Sequence, residues 1–240
     1  MAAAKLEIEI STGAKDLEVL KGKDLTIIEE LSLILFKPLS LKFLKDFTHL
    51  KKLMISGTVK DYSPLAGCDT LEILHLSGGT IDELDFIRTL SIHTLILEAS
   101  KSRVDTLVIP NLTSLENIRI SEVGSMADLS FLSDFSSLKS IALFHLKSEQ
   151  LFEGSALHQL ERLYLTNMFN LKDLSRLKSF PSLQLLYIHQ FFVNRKVKID
   201  AKAALFKIAP ELKNIDTIRL KINEEEYVNT SGEWVSHTDK

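Results

Sequence analysis

Seven histidines, one cysteine and a few adjacent carboxylates are the residues of this 240-residue sequence best equipped to bind a metal or attack a substrate. The histidines stand at His49, His75, His93, His145, His158, His189 and His237, and none pairs with another, or with Cys68, at metal-ligand spacing. His75 and His93 are the nearest to a paired site, and an enzyme centred on His75/His93 is the less favoured reading. Cys68 reads as small core filling, because a Cys–His nucleophile also needs a base and an orienting group that the pattern does not supply. Glu29-Glu30 and Glu224-Glu225-Glu226 are carboxylate runs, but a general acid needs one carboxyl in an apolar pocket, which adjacency does not provide. Ser77-Gly78-Gly79 is the closest approach to a phosphate-binding loop and lacks the following lysine. No catalytic residue, metal site or cofactor site is therefore expected.

The elements that would position such residues are announced by composition. Leucine occupies 42 of 240 positions while glycine has 9 and proline 5, so one apolar residue type carries the pattern. The unit apolar-x-x-apolar-x-apolar recurs at Ile28/Leu31/Leu33, Leu50/Leu53/Ile55, Leu71/Leu74/Leu76, Ile92/Leu95/Leu97 and Leu115/Ile118/Ile120. It continues at Leu138/Ile141/Leu143, Leu160/Leu163/Leu165, Leu183/Leu186/Ile188 and, after a gap, Ile215/Ile218/Leu220. A degenerate earlier copy ends in Ile8/Ile10. Two anchors two residues apart point the same way from a strand. The return of about 22 residues is long enough to make successive strands parallel. Several returns read apolar-x-Asp-apolar, as at Ile81–Leu84, Met126–Leu129 and Leu171–Leu174, and Asp61 stands in a variant. The aspartate is expected to cap a short helical turn.

Through these repeats, over about residues 28–190, the chain resembles the leucine-rich repeat proteins of the short-repeat class that includes the internalins. The resemblance implies an α/β solenoid: a curved right-handed arc with a parallel sheet on the concave face and irregular or short helical returns on the convex face. The asparagine that follows the strand in that family has no counterpart, since the corresponding positions hold Thr58, Gly79, Ser100, Val123, Leu146, Met168 and Phe191. An uneven arc is expected, with Leu107–Leu112 as a second extended segment behind it.

The ends of such a stack need capping. Residues 1–27 read as an N-terminal cap with a strand near Lys5–Ile10, residues 28–190 as the repeats, and 191–222 as a C-terminal cap. That cap is expected to hold a helix over Asp200–Ala209, with Asp200 as N-cap and Ala204, Leu205 and Ile208 on its apolar face, then a strand over Ile215–Leu220. Residues 223–240, with Trp234, read as a flexible tail. The 192–221 segment carries a formal +5 (Arg195, Lys196, Lys198, Lys202, Lys207, Lys213, Arg219 and Lys221 against Asp200, Glu211 and Asp216) and is read as a basic end cap or a docking surface.

The register also names the outward residues. Between the two anchors stand Ser32, Met54, His75, Ile96, Arg119, Ala142, Tyr164, Tyr187 and Arg219, flanked by parallel columns on either side. Arg119, Phe144, Arg162, Tyr164, Leu185, Tyr187 and His189 form the expected partner-binding set, because tyrosine and arginine concentrate interface energy. The N-terminal half, with Ser32, Ser56, Ser77 and Thr94, offers mostly small side chains. The expected function is a non-enzymatic protein-binding scaffold, with the partner a protein. Family roles that fit are an immunity protein masking a cognate toxin and, as the alternative, a regulatory or adaptor subunit of a cytosolic enzyme complex. A net charge of -3 and the lack of a binding motif argue against nucleic acid or an anionic membrane as partner. One cysteine excludes an intrachain disulfide, and no secretory pattern opens the sequence, so a cytoplasmic monomer is expected.

Overall fold

Each repeat puts alternate residues of a five-residue segment into the interior and the others outside, and this alternation makes the segment a strand. The computed structural model describes residues 4–11, 13–99, 107–124, 126–191, 201–212, 214–230 and 232–238. The chain forms two compact units, residues 1–115 and 116–240.

In the first unit, β1 (Lys5–Ile10), β2 (Glu30–Ser40), β3 (Lys52–Asp61), β4 (Ile73–Ser77) and β5 (Thr94–Glu98) pair in chain order, all parallel. Leu31, Leu53, Leu74 and Leu95 lie side by side in one buried row. Ser32, Met54, His75 and Ile96 form the outward row beside it, as the sequence register requires. In the second unit, β6 (Asn117–Ser121), β7 (Ser140–Phe144), β8 (Arg162–Thr166), β9 (Leu185–Gln190) and β10 (Thr217–Ile222) continue the same parallel pattern. Of the anchors in the nine triplets, all but Ile28 and Ile215 are buried. Those two belong to the first and last of the nine triplets.

The returns bury a second set of apolar anchors, including Ile81, Leu84 and Ile87 in the first unit and Met126, Leu129 and Leu132 in the second. Single 3-10 turns at Lys42–Asp46, Ser63–Gly67, Asp85–Ile87, Ser130–Asp134 and Ser175–Ser179 each bury one such anchor, Leu44, Leu65, Ile87, Leu132 and Leu177. The return aspartates act one residue earlier than a helix cap. Asp61, Asp128 and Asp173 accept the backbone N–H of Ser63, Ser130 and Ser175 at 2.8–2.9 Å, the first residue of each turn. They close Asx turns that start the 3-10 turn, which is too short to need a full cap. Leu107–Leu112 is an irregular segment with Leu107, Ile109 and Leu112 buried, without strand pairing among the described residues.

These bonds hold the carboxyls below their ordinary range, through the serine N–H foremost at Asp61 and Asp128 and the Ser175 hydroxyl foremost at Asp173. A depressed folded pKa contributes stability above the ordinary carboxylate value of about 3.9 and loses it as pH falls through the folded value. The melting temperature should therefore fall as the pH is lowered from about 5 to about 3, and Asp128→Asn should lessen that fall.

Where β3 leaves the sheet, Gly57 takes φ +114°, and a Cβ there would stand 2.2 Å from the Leu35 carbonyl oxygen. Only glycine lets the two strands approach so closely. Gly57→Ala is expected to cost about 2 kcal/mol, read as a lower midpoint in chemical denaturation.

The C-terminal end corrects the tail expectation. Residues 225–238 are not a loose terminus: β11 (Glu225–Thr230) pairs antiparallel with β10, and β12 (Glu233–Thr238) pairs antiparallel with β11. A two-residue connection with Asn223 at φ 52° joins β10 to β11. Gly232 at φ 94° turns the second hairpin, donating its N–H to Asn229 Oδ1 at 3.1 Å. The helix α1 (Ala201–Ile208) buries Leu205 and presents Phe206, which stacks on Trp234 at 4.2 Å and meets Tyr227 edge-on at 5.9 Å. Aromatic packing is what holds a segment whose charge suggested solvent. The strand expected at Ile215–Leu220 lies two residues later, and the expected N-cap Asp200 lies outside the described residues.

Candidate functional site

The seven partner-binding residues expected from the sequence all lie on one face of the second unit. Inward leucines and isoleucines force the intervening side chains out, and the register then lines up Arg119, Ala142, Tyr164, Tyr187 and Arg219 from β6 to β10. One column to one side holds Arg162 and Leu185, and the column on the other side holds Phe144 and His189. Arg119 places its guanidinium carbon 4.5 Å from the Phe144 ring centre, so the ring supports the cation. Tyr164 and Tyr187 meet edge to face at 6.2 Å, and Tyr187 meets His189 at 6.1 Å. Arg119 and Arg162 are exposed, while Tyr164, Leu185, Tyr187 and His189 are half-buried. Side chains restrained in this way lose little freedom on binding.

A hollow of about 420 Å³ opens among them, lined by Tyr164, Leu185, Tyr187, Thr217, Arg219 and Glu226. Three of these are supplied by the C-terminal strands. Arg219 approaches Glu226 at 3.9 Å, a long ion pair. Burial first, and the Glu226 charge second, push the Tyr187 phenol above its ordinary pKa. Burial, with help from Lys221, lowers the His189 pKa and keeps the ring uncharged at neutral pH. Glu226 was absent from the expected set because the sequence reading placed it in the tail. The β-prone pair Tyr227-Val228, the turn residue Gly232 and the second β-prone pair Trp234-Val235 were the signal for a strand hairpin.

A polar ladder borders this face. The residue after each strand bends the chain, with positive φ at Glu122, His145 and Asn167. Their N–H groups donate to the carbonyls of Phe144, Thr166 and His189 in the next layer at 2.7–3.0 Å. The side chains join too: Glu122 lies 3.5 Å from His145 Nδ1, and Asn167 Nδ2 lies 2.7 Å from His145 Nε2. Asn167 Oδ1 accepts the Phe191 N–H at 2.7 Å. The next position, where the sequence resemblance implies an asparagine, holds buried Val123, Leu146 and Met168. Stacking here is apolar inside and polar one residue earlier.

The alternative site does not assemble. His75 Nε2 contacts Glu98 at 2.9 Å, whereas His93 is exposed and donates its backbone N–H to the Glu72 carbonyl at 2.8 Å. Cys68 is buried, and burial followed by the Asp69 charge raises its thiol pKa, which opposes nucleophilic use. Among the described residues, no three His, Cys, Asp or Glu side chains are grouped to hold a metal ion. No described helix is long and apolar enough to cross a membrane. The outward face of the first unit is less uniformly small than expected: Met54, Ile73 and Ile96 stand there, half-buried. Of the basic segment, Arg195, Lys196, Lys198 and Lys213 lie outside the described residues. Lys202 sits 4.0 Å over the Tyr227 ring, serving the end cap.

No family model matches the sequence, and no curated protein matches it. Among solved structures, internalin C2 of Listeria monocytogenes superposes with a TM-score of 0.58 at 18% identity, covering 82% of each chain. An internalin (inlF) of the same organism gives a TM-score of 0.46 at 17% identity, covering 88% of this chain and 72% of its own. Together with parallel strands in constant register at a repeat of about 22 residues, the likeness to internalin C2 establishes the fold: the chain has the architecture of a leucine-rich repeat protein.

Proposed function

We propose that this chain is a non-enzymatic protein-binding scaffold that holds its partner against the outward face of β6–β10. The observation carrying the reading is the hollow framed by Tyr164, Leu185, Tyr187 and Arg219 on a rigid, register-locked sheet. Tyrosine and arginine on such a support combine large contact area with fixed hydrogen-bonding geometry. The protein works as a monomer in the cytoplasm, and its narrower role is that of an immunity protein masking a toxin. A regulatory subunit of an enzyme complex uses the same face. A toxin gene beside this one supports the narrower role, and a subunit gene in that place supports the other.

The test is a photo-crosslinking residue placed at Thr166, on the proposed face, or at Ser56, on the first unit. The protein captured from the source cell is then purified and titrated against the wild-type chain. Crosslinking through position 166, together with affinity that depends on Tyr187, is the expected result. Crosslinking through position 56 alone overturns the reading.

A further inference from the structure

Charge on the proposed binding face is unbalanced. From β6 to β10 it carries Arg119, Arg162, Arg219 and Lys221, and no Asp or Glu occupies any of the three outward columns on those five strands. The carboxylates of this face come from the C-terminal hairpin: Glu226, opposite Lys221, and Glu233, opposite Thr230. Glu226 reaches Arg219 at 3.9 Å at the rim of the hollow, beside the Tyr187 phenol whose ionisation it opposes.

We infer that the partner presents an acidic segment carrying an aromatic or branched aliphatic side chain. That side chain enters the hollow of Tyr164, Leu185 and Tyr187, and the segment's carboxylates reach Arg162 and Arg219. This rests on the reading of the β6–β10 face as the binding surface and gives that surface its chemistry. Glu226 then occupies, loosely, the position of a partner carboxylate. At 3.9 Å it does not make the close, bidentate contact that guanidinium favours, so a better-placed carboxylate displaces it. Five strands span about 19 Å, the reach of about six extended residues crossing the sheet. A short linear segment is sufficient to touch Arg119 at one end and Arg219 at the other. An acidic peptide fits better than a nucleic acid, because Leu185 gives the hollow an aliphatic wall that a peptide side chain fills while the carboxylates beside it stay at the arginines.

The probe is the random copolymer poly(Glu,Tyr), with poly(Lys,Tyr) and oligo(dT) as comparators, titrated against the full chain by biolayer interferometry. Poly(Glu,Tyr) is expected to bind, with affinity falling about tenfold from 50 to 200 mM salt, because exposed charges are screened over that range. Arg162→Glu and Tyr187→Ala should each weaken binding at least tenfold, and Glu226→Gln should strengthen it about threefold. Lys172→Glu makes the same charge change as Arg162→Glu on a return, where Lys172 pairs with Glu149, and should leave affinity unchanged. Circular dichroism checks that each variant folds, and Arg162→Gln replaces Arg162→Glu if the latter does not. Equal losses at Lys172 and Arg162 overturn the inference, as do tighter binding of poly(Lys,Tyr) or oligo(dT) and absence of poly(Glu,Tyr) binding at 50 mM salt. If poly(Glu,Tyr) fails while the natural partner still depends on Tyr187, the charge inference falls and the binding face stands. If the natural partner ignores Tyr187, the binding face itself falls.

Discussion

Tyr187→Ala is expected to weaken binding of the natural partner by about 2 kcal/mol, on the order of thirtyfold in affinity. Tyr187 stands in the middle of the outward row, packed edge-on against Tyr164 and beside His189, and it forms one wall of the hollow. Truncation removes the aromatic surface a partner side chain would bury and unsupports both neighbours. The half-buried ring is held before binding, so its contact energy is not spent on ordering it. Tyr164→Ala should behave alike. Lys52→Ala and Ser56→Ala, on the other unit's face, should each cost less than about 0.5 kcal/mol. Titration calorimetry against the purified partner measures all four, and thermal melts confirm folding. Equal losses on both faces would mean that the partner covers both, and losses confined to the α1–β10 cap would move the site there.

Removing residues 223–240 is expected to lower the melting temperature by roughly 6–12 °C, or about 3 kcal/mol, and to cause aggregation. A flexible tail, as the sequence was read, would imply the reverse: residues 223–240 dispensable and the cap at 191–222 essential. The difference lies in β11 and β12. β11 pairs along the whole length of β10 and β12 along β11, and together they bury Asn229 and bring Tyr227 and Trp234 onto Phe206 of α1. Without them β10 becomes an open edge with unpaired backbone groups, a template for association with another chain. The aromatic pairs with Phe206 are lost as well. Light scattering during the melt separates aggregation from simple unfolding. A truncated protein that melts with the full chain and stays clear would show that the hairpin contributes nothing to stability. Trp234→Ala is the milder companion, with a smaller shift in the same direction.

The repeats were legible because each one states the same physical requirement. Two inward anchors per strand, repeated every 21–23 residues, leave one register that buries all of them, and that register dictated the outward columns from Ser32 to Tyr187. The seven residues expected to meet a partner followed from it without reference to tertiary contacts. Tertiary structure decided what repetition does not encode. Residues 223–240 occur once, carry four glutamates and lack the leucine pattern, so their order depends on a partner surface, Phe206 and the edge of β10, that is invisible until the chain folds. The polar ladder of Glu122, His145 and Asn167 was hidden for a similar reason. Each residue looks ordinary in its own repeat, and only stacking the layers about 4.8 Å apart places His145 between a carboxylate and an amide. The sequence by itself therefore determined which side chains face outward, while the tertiary structure decided which of them share a hollow. Facing is a property of one strand's alternation, and sharing requires the neighbouring strands to be in place.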